Sequence, residues 1–318
     1  MMPGLSARLA LRALNRLLMI AVVLWGAATI AFVVVKLIPG DPVGVISGGD
    51  NIVDGPQREA IARQFGLDQP IAVQYATYVR RALTGDFGTS YQYRQPVTRV
   101  IVEAGGYTVQ LAATAMLIAV VAALISAIAT AGQRAKLRAA LIGFELIALS
   151  TPIYWIGIVL LTLFSFKLQW FPVTGSDGFR SLVLPAVTLS LPLGALLSQV
   201  LRDGLEDSLT QPFAMTVRMR GVGETILRIR HGLRHAALAA STLTGTLLAS
   251  VLGGSILTET VFGRPGIGQI TLQAIKSRDM PMVLGLVMFS ALIFVIVNII
   301  VDALYLVIDP RLRRASHE

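Results

Sequence analysis

The chain contains no cysteine. That excludes disulfides, thiolate metal sites and cysteine nucleophiles. Charge is scarce as well: 14% of the 318 residues are Asp, Glu, Lys or Arg, against about 25% in soluble domains. There is no G-x-x-x-x-G-K-[ST] and no Gly-Lys pair, so this chain has no P-loop to cradle ATP phosphates. H-E-x-x-H is missing too, and Gly266-Ile267-Gly268 lacks the third glycine and the preceding strand of a dinucleotide fingerprint. His231 and His235 stand four apart, but two imidazoles without a third ligand make only a weak metal site, and surface packing is the default reading. The chain is therefore not read as an enzyme, and no bound cofactor or metal is expected.

What is plentiful is apolar surface. Hydrophobic residues make up 54% of the chain and the mean hydropathy is +0.70, which reads as an all-α, multi-pass membrane protein. A bilayer core needs about 20 apolar residues per helix, and six stretches qualify: Leu17–Ile38, Tyr107–Thr130, Ala139–Phe166, Leu182–Leu201, Ala236–Thr258 and Met282–Ile308. Arg8, Arg12 and Arg16 precede the first run, which is longer than the about 7–15 residues of a signal-peptide core and has no A-x-A site before Lys36. It is expected to be a retained helix. The chain then turns outward through Pro39-Gly40-Asp41-Pro42, where each proline removes a backbone donor.

The basic residues orient the spans. Arg8, Arg12, Arg16, Arg134, Lys136, Arg138, Arg202, Arg218, Arg220, Arg228, Arg230, Arg234, Arg311, Arg313 and Arg314 fall on one side, while the opposite short loops hold far fewer, among them Arg180, Arg264, Lys276 and Arg278. By the positive-inside rule both termini lie in the cytoplasm. Acids on the basic side bring its balance to the +9 of the whole chain. Basicity is then a topology signal and a contact to anionic membrane lipids, and nucleic acid is not an expected partner.

The expected order is residues 1–38 for the tail and first span, 39–106 for an extracytoplasmic segment, 107–310 for the core with spans two to six, and 311–318 for a cytoplasmic tail. Within 39–106, Pro56 and Gly66 bracket one short helix. Ile71, Tyr75, Tyr78, Val79 and Leu83 mark a second over Ile71–Leu83, stopped by Gly85. That second helix suits either a headgroup-resting amphipathic helix or a cap over a pore mouth. Ala115, Ala119, Ala123 and Ala127 fall on every fourth position of the second span, which marks a bundle-central helix or plain alanine richness. Glu145 and Asp302 sit near span ends, where a carboxylate is cheapest or faces protein. Pro192 invites a kink in the fourth span. Thr188, Ser190, Ser198 and Gln199 nearby suit a pathway lining, or the helix is simply bent.

Gln211–Ala239 is the one long polar segment between apolar spans in the second half, inside a cytoplasmic loop spanning 202–239. It reads as a short apolar-basic helix, a Gly221-Val222-Gly223 elbow and a second basic helix. Phe213-Ala214-Met215-Thr216-Val217-Arg218-Met219-Arg220-Gly221-Val222 and His231-Gly232-Leu233-Arg234-His235-Ala236-Ala237-Leu238-Ala239 resemble the EAA loop of ABC-importer permeases of the peptide and nickel branch. The resemblance extends to Pro39-Gly40-Asp41-Pro42, Phe65-Gly66-Leu67-Asp68-Gln69-Pro70, Gly85-Asp86-Phe87-Gly88, Thr258-Glu259-Thr260-Val261-Phe262, Pro265-Gly266-Ile267-Gly268 and Asp309-Pro310-Arg311. Three positions depart: Met215 replaces a usual Arg, Val217 an Ala, and Ala239 a Pro. Without that proline the second handle helix is expected to run into the fifth span.

The resemblance implies a type I importer permease fold of six spans in the bacterial inner membrane. It implies a second paralogous permease subunit as heterodimer partner, two ATP-binding subunits that carry ATP and Mg, and an extracytoplasmic solute-binding protein. The coupling helix and loop would use Phe213, Thr216, Val217, Arg218, Arg220, Gly221, Val222, His231 and Arg234. Glu259 joins Thr188, Ser190, Pro192, Ser198 and Gln199 as candidate pathway lining. Short peptides are the implied cargo, with a nickel chelate, glutathione or an opine-like solute as alternatives. An ion-coupled secondary transporter is the rival of another class, and it would want acids near the midplane.

Overall fold

Backbone polar groups inside a bilayer must be satisfied within the protein, and the chain does this with helices. The computed structural model describes residues 5–37, 42–47, 55–132 and 135–308, with the side chains of 5–13, 42, 45, 238, 239, 249, 252–254 and 300–308 left aside. The expected Pro39-Gly40-Asp41 turn, Arg134, the side chain of Asp302 and the Asp309–Arg311 ending lie outside the described residues.

In chain order the elements are α1 Leu5–Leu37, α2 Pro42–Ile46, α3 Gly55–Gln64, α4 Ile71–Leu83, α5 Val97–Thr130, α6 Ala135–Ser150 and α7 Ile153–Leu160. A π-helical turn over Leu161–Lys167 follows, then α8 Arg180–Thr210, α9 Pro212–Met219 and α10 Glu224–Ile226. A second π-turn, Leu227–Gly232, leads into α11 Leu233–Val261, α12 Ile267–Lys276 and α13 Met280–Ile308. Four helices among the described residues are long and apolar enough to cross a membrane, or five if one bent pair counts as a span.

That bent pair corrects the third expected span. Ala139–Phe166 is not one rod: Ala135–Ser150 and Ile153–Lys167 meet at 107°. Pro152 opens α7. Its ring disfavours a helical conformation for Thr151 and it offers no N–H to the preceding turn. The second span also begins earlier than expected, at Val97. Val97, Val100, Ile101 and Ala104 are buried at helical spacing, while Arg99 and Glu103 pair on the other face at 3.1 Å. Its 34 residues rise about 51 Å, more than the about 30 Å of hydrocarbon.

The chain divides into two compact units, Met1–Gly105 with Ile270–Ile296, and Gly106–Gln269 with Val297–Glu318. In the first, α4 packs on the end of α1 through Phe32. Tyr75 meets that ring edge-on at 5.3 Å and Tyr78 stacks on it at 5.9 Å, while Thr29 Oγ1 and the Tyr75 hydroxyl share a hydrogen bond of 2.7 Å. The polar tips of α4 thus turn inward, and its apolar Ile71, Val73 and Leu83 stay exposed. After α4, the loop to α5 is held by Asp279, which accepts from the Ser90 hydroxyl and, at 3.1 Å, from the Gln92 N–H.

In the second unit the alanine stripe lies at the centre. Ala119, Ala123, Ala127 and Ala131 of α5 pack with Leu197, Leu201 and Leu205 of α8 and Ala236 and Ala240 of α11. Burial of apolar area gives little drive in lipid, so close backbone approach must supply the attraction. A Cβ at Gly204 would sit 3.0 Å from the Ala236 Cα, and one at Gly194 would sit 3.3 Å from the Ala119 carbonyl oxygen. Helix α8 runs unbroken through Pro185 and Pro192.

Candidate functional site

The handle is one short helix on an elbow, not two short helices. Pro212 opens α9, where its missing N–H would be unpaired in any case. At Gly221 φ is +76°, a backbone region costly for residues with a Cβ. Beyond it, α10, the π-turn and α11 follow one another with right-handed helical junctions at Leu227 and Leu233, and α11 continues through residue 239. The segment after the elbow is thus continuous with the fifth expected span.

Three contacts tie α9 to its neighbours. Ala214 is fully buried on its inner face. Phe213 is half-buried, its ring stacked on His235 of α11 with centroids 5.0 Å apart. Arg218 donates to the Leu209 carbonyl of α8 at 3.3 Å. Across the elbow, Arg218 grips Glu224 with two bonds, Nε to Oε1 at 2.6 Å and Nη2 to Oε2 at 3.3 Å. That guanidinium holds the Glu224 carboxyl below the usual carboxylate range. Helix α9 is therefore tied to both α8 and α11.

Phe213, one of the candidate coupling residues, lies tucked against His235. On α9 the exposed apolar groups are Met215 and Met219, 65% and 80% exposed, which are four apart on one helix face. Thr216, Arg218, Arg220, Gly221 and Arg234 are exposed, and Val217, Val222 and His231 are half-buried. The i,i+4 spacing of the two methionines was the available signal. Glu224, the elbow's anionic partner, was missed because its pairing depends on how the glycine turns the chain.

A second polar cluster was not expected at all. Arg202, counted from the sequence as a loop cation, is 2% exposed within α8. Its Nη2 lies 2.5 Å from Glu145 Oε1 of α6, and its Nε donates to Thr130 Oγ1 at 2.8 Å. The same carboxylate oxygen accepts from Ser198 at 2.6 Å and from Ser126 at 2.8 Å. One buried ion pair thus pins α5, α6 and α8 together just inside the handle. Glu145 faces protein, the second of the two placements open to it.

The candidate pathway residues divide. Thr188, Ser190, Ser198 and Glu259 are buried within this chain. The Thr188 and Ser190 hydroxyls bond back to the carbonyls of Leu184 and Val187. Glu259 accepts from the Gly268 N–H at 2.7 Å, the Gln269 N–H at 3.3 Å and Thr108 Oγ1 at 2.7 Å. It therefore caps the first turn of α12, where backbone donors lack helical partners. Arg264 beside it donates to Gln110 Oε1 at 2.6 Å. Pro192 and Gln199 alone keep partial exposure.

Comparison with known proteins follows the same outline. Residues 115–314 match the family described as binding-protein-dependent transport system inner membrane component, and residues 10–112 match the N-terminal family of the same system. The chain is 34% identical over 301 residues to the glutathione transport system permease protein GsiC of Salmonella paratyphi A, covering 94% of this chain and 98% of that protein. It is 33% identical over 301 residues to GsiC of Escherichia coli K12, with the same coverage. Among solved structures, the crystal structure of an amino acid ABC transporter with histidines matches with a TM-score of 0.52 at 13% identity, over 65% of this chain and 94% of that one; this likeness concerns the fold.

Proposed function

This chain belongs to the inner-membrane component family of binding-protein-dependent transport systems, and from that premise we propose how its handle and buried clusters serve transport. It is an inner-membrane permease subunit of an ABC importer. Its pathway is completed by a second, paralogous permease subunit, energy comes from two separate ATPase subunits that bind ATP and Mg, and an extracytoplasmic binding protein delivers the solute. Six spans carry the chain, with both termini and the handle in the cytoplasm and residues 39–106 outside. The bent pair α6–α7 counts as the third span and α11 as the fifth.

Transmission starts at the outer face of α9, where Met215 and Met219 fill an apolar pocket on the ATPase and Arg220 contributes at the rim, as in an interface hot spot. Closure of the ATPase pair displaces α9. Through the Leu209 carbonyl and the Phe213–His235 stack, that displacement moves α8 and α11 together. The Arg202–Glu145 pair passes it to α6. The pathway alternates because ATP binding favours one arrangement of these helices over the other.

Cargo is of the short-peptide class, with the tripeptide glutathione the first solute to test. The observation that carries this is the similarity to glutathione permeases along nearly the whole chain. The experiment is uptake by proteoliposomes holding the four-subunit complex, with ATP inside and binding protein outside. Accumulation of labelled glutathione or dipeptides only with ATP and binding protein is the expected result. Accumulation by this chain alone, driven by an ion gradient, would refute the ATP-driven assignment, and uptake of neither peptide would refute the cargo.

A further inference from the structure

The first unit holds a cleft of about 220 Å³ where the last turns of α1, the helix α4 and the start of α13 come together. Its apolar wall includes Phe32 and Phe87, and its polar groups include Lys36, Tyr78, Arg81 and Asp86. Arg81 and Asp86 both line it without forming an ion pair with each other among the described residues, although the Asp86 N–H bonds the Arg81 carbonyl at 3.0 Å. Asp86 Oδ1 accepts from the Gly88 N–H at 2.9 Å. Lys36 donates to Gln74 Oε1 at 2.5 Å, which leaves its ammonium two further donors. The Tyr78 hydroxyl is buried with no partner, and burial pushes its phenol up to about 12, so it remains a donor at neutral pH. A buried unpaired hydroxyl costs free energy; a cleft whose wall also carries two cations and one carboxylate calls for an occupant with an anionic and a cationic group.

Two features decide which occupant. One is size: the cleft's about 220 Å³ is far more than one water needs. It admits a phosphoethanolamine group of roughly eight heavy atoms. The other is the surface next to it. Ile30, Val33, Val34 and Leu37 of α1 are exposed apolar groups on the membrane-crossing helix that ends at the cleft, so acyl chains have a surface to follow. Cationic and aromatic side chains at a span end also match interfacial depth.

We propose that this cleft binds the headgroup of a zwitterionic amino-phospholipid, with its phosphate at Lys36, Arg81 and the Tyr78 hydroxyl and its ammonium at Asp86. The bound lipid fills the gap between α1 and α4 and so fastens the outer helices to the first span. Only the choice of leaflet rests on the proposed topology.

The test uses the assembled complex in nanodiscs containing equal phosphatidylethanolamine and phosphatidylglycerol, with retained lipid counted by native mass spectrometry. The expected result is retention of phosphatidylethanolamine about tenfold over phosphatidylglycerol, as charged hydrogen bonds to both ends of the head imply. Arg81→Gln is expected to lose retention of both lipids, Asp86→Asn to lose the preference, and Val73→Trp, which fills the cleft, to exclude lipid. Equal retention of the two lipids, unchanged retention in the assembled Arg81→Gln complex, or displacement by a soluble tripeptide would overturn the proposal. ATP-driven uptake measured on the same preparation separates failure of the lipid site from failure of the importer assignment.

Discussion

Breaking the Arg202–Glu145 pair singly should cost far more than removing it whole. At 2.5 Å and an effective dielectric near 20, the attraction is about 7 kcal/mol. Desolvation of each ion costs several kcal/mol, so the intact pair contributes little net stability. Glu145→Leu leaves a guanidinium whose side chain is 3% exposed with only hydroxyl partners, and Arg202→Met leaves an equally enclosed carboxylate. Each single change is expected to destabilise by about 3–5 kcal/mol, and the double change by much less than the sum. The assay is reversible unfolding of the purified chain in mixed micelles, run as a double-mutant cycle. Additivity within about 0.5 kcal/mol would refute the pair as the pin between α6 and α8. ATP-driven uptake by the double variant then reports whether the charges also serve transmission: if they do, the stable protein should transport poorly.

Other outcomes follow from the same geometry. Gly221→Ala has open space for its Cβ, so only the left-handed backbone is penalised, by about 1–2 kcal/mol; solute-stimulated ATPase activity of the complex should fall while membrane insertion is normal. Glu224 has its pKa lowered, mainly by the Arg218 hydrogen bond, from an ordinary value of 4.5. A depressed acid contributes stability above its unfolded pKa and loses it as pH falls through the folded value. Protection from hydrogen exchange at the elbow, taken relative to the intrinsic amide rate at each pH, should therefore fall below about pH 4.5 in the native chain, but not change there in Arg218→Ala. Gly266→Ala would drive a Cβ into the Glu259 carboxylate, a buried overpacking expected to cost about 1–3 kcal/mol or more. Gly26→Ala meets nothing within 4 Å in α1 and should stabilise by about 0.5–1 kcal/mol; melting curves of the two variants compare them directly.

Local periodicity determined much of this protein from the chain alone. The α4 helix occupies Ile71–Leu83 as its apolar spacing and the flanking Pro70 and Gly85 require. The alanines at every fourth position of α5 form the bundle centre. Glycine at 221 marked the elbow and absence of proline at 239 let α11 run on, because both act through φ and backbone hydrogen bonds within a few residues. Family motifs supplied the fold and the importer role, since they depend on residue order and not on contacts.

Tertiary structure alone decided what the polar groups do. Arg202 looked like one more cytoplasmic cation until a carboxylate 57 positions away buried it. Glu259 shows nothing of its partners in the chain, yet Thr108, 151 positions away, joins the α12 backbone in enclosing it. Phe213, Met215 and Met219 are alike apolar in the chain, but His235 covers the face of Phe213 and leaves Met215 and Met219 outside. A side chain's hydrophobicity is written in the sequence, but its partner is chosen by which helices pack, and that choice sets whether a charge couples, caps or meets solvent.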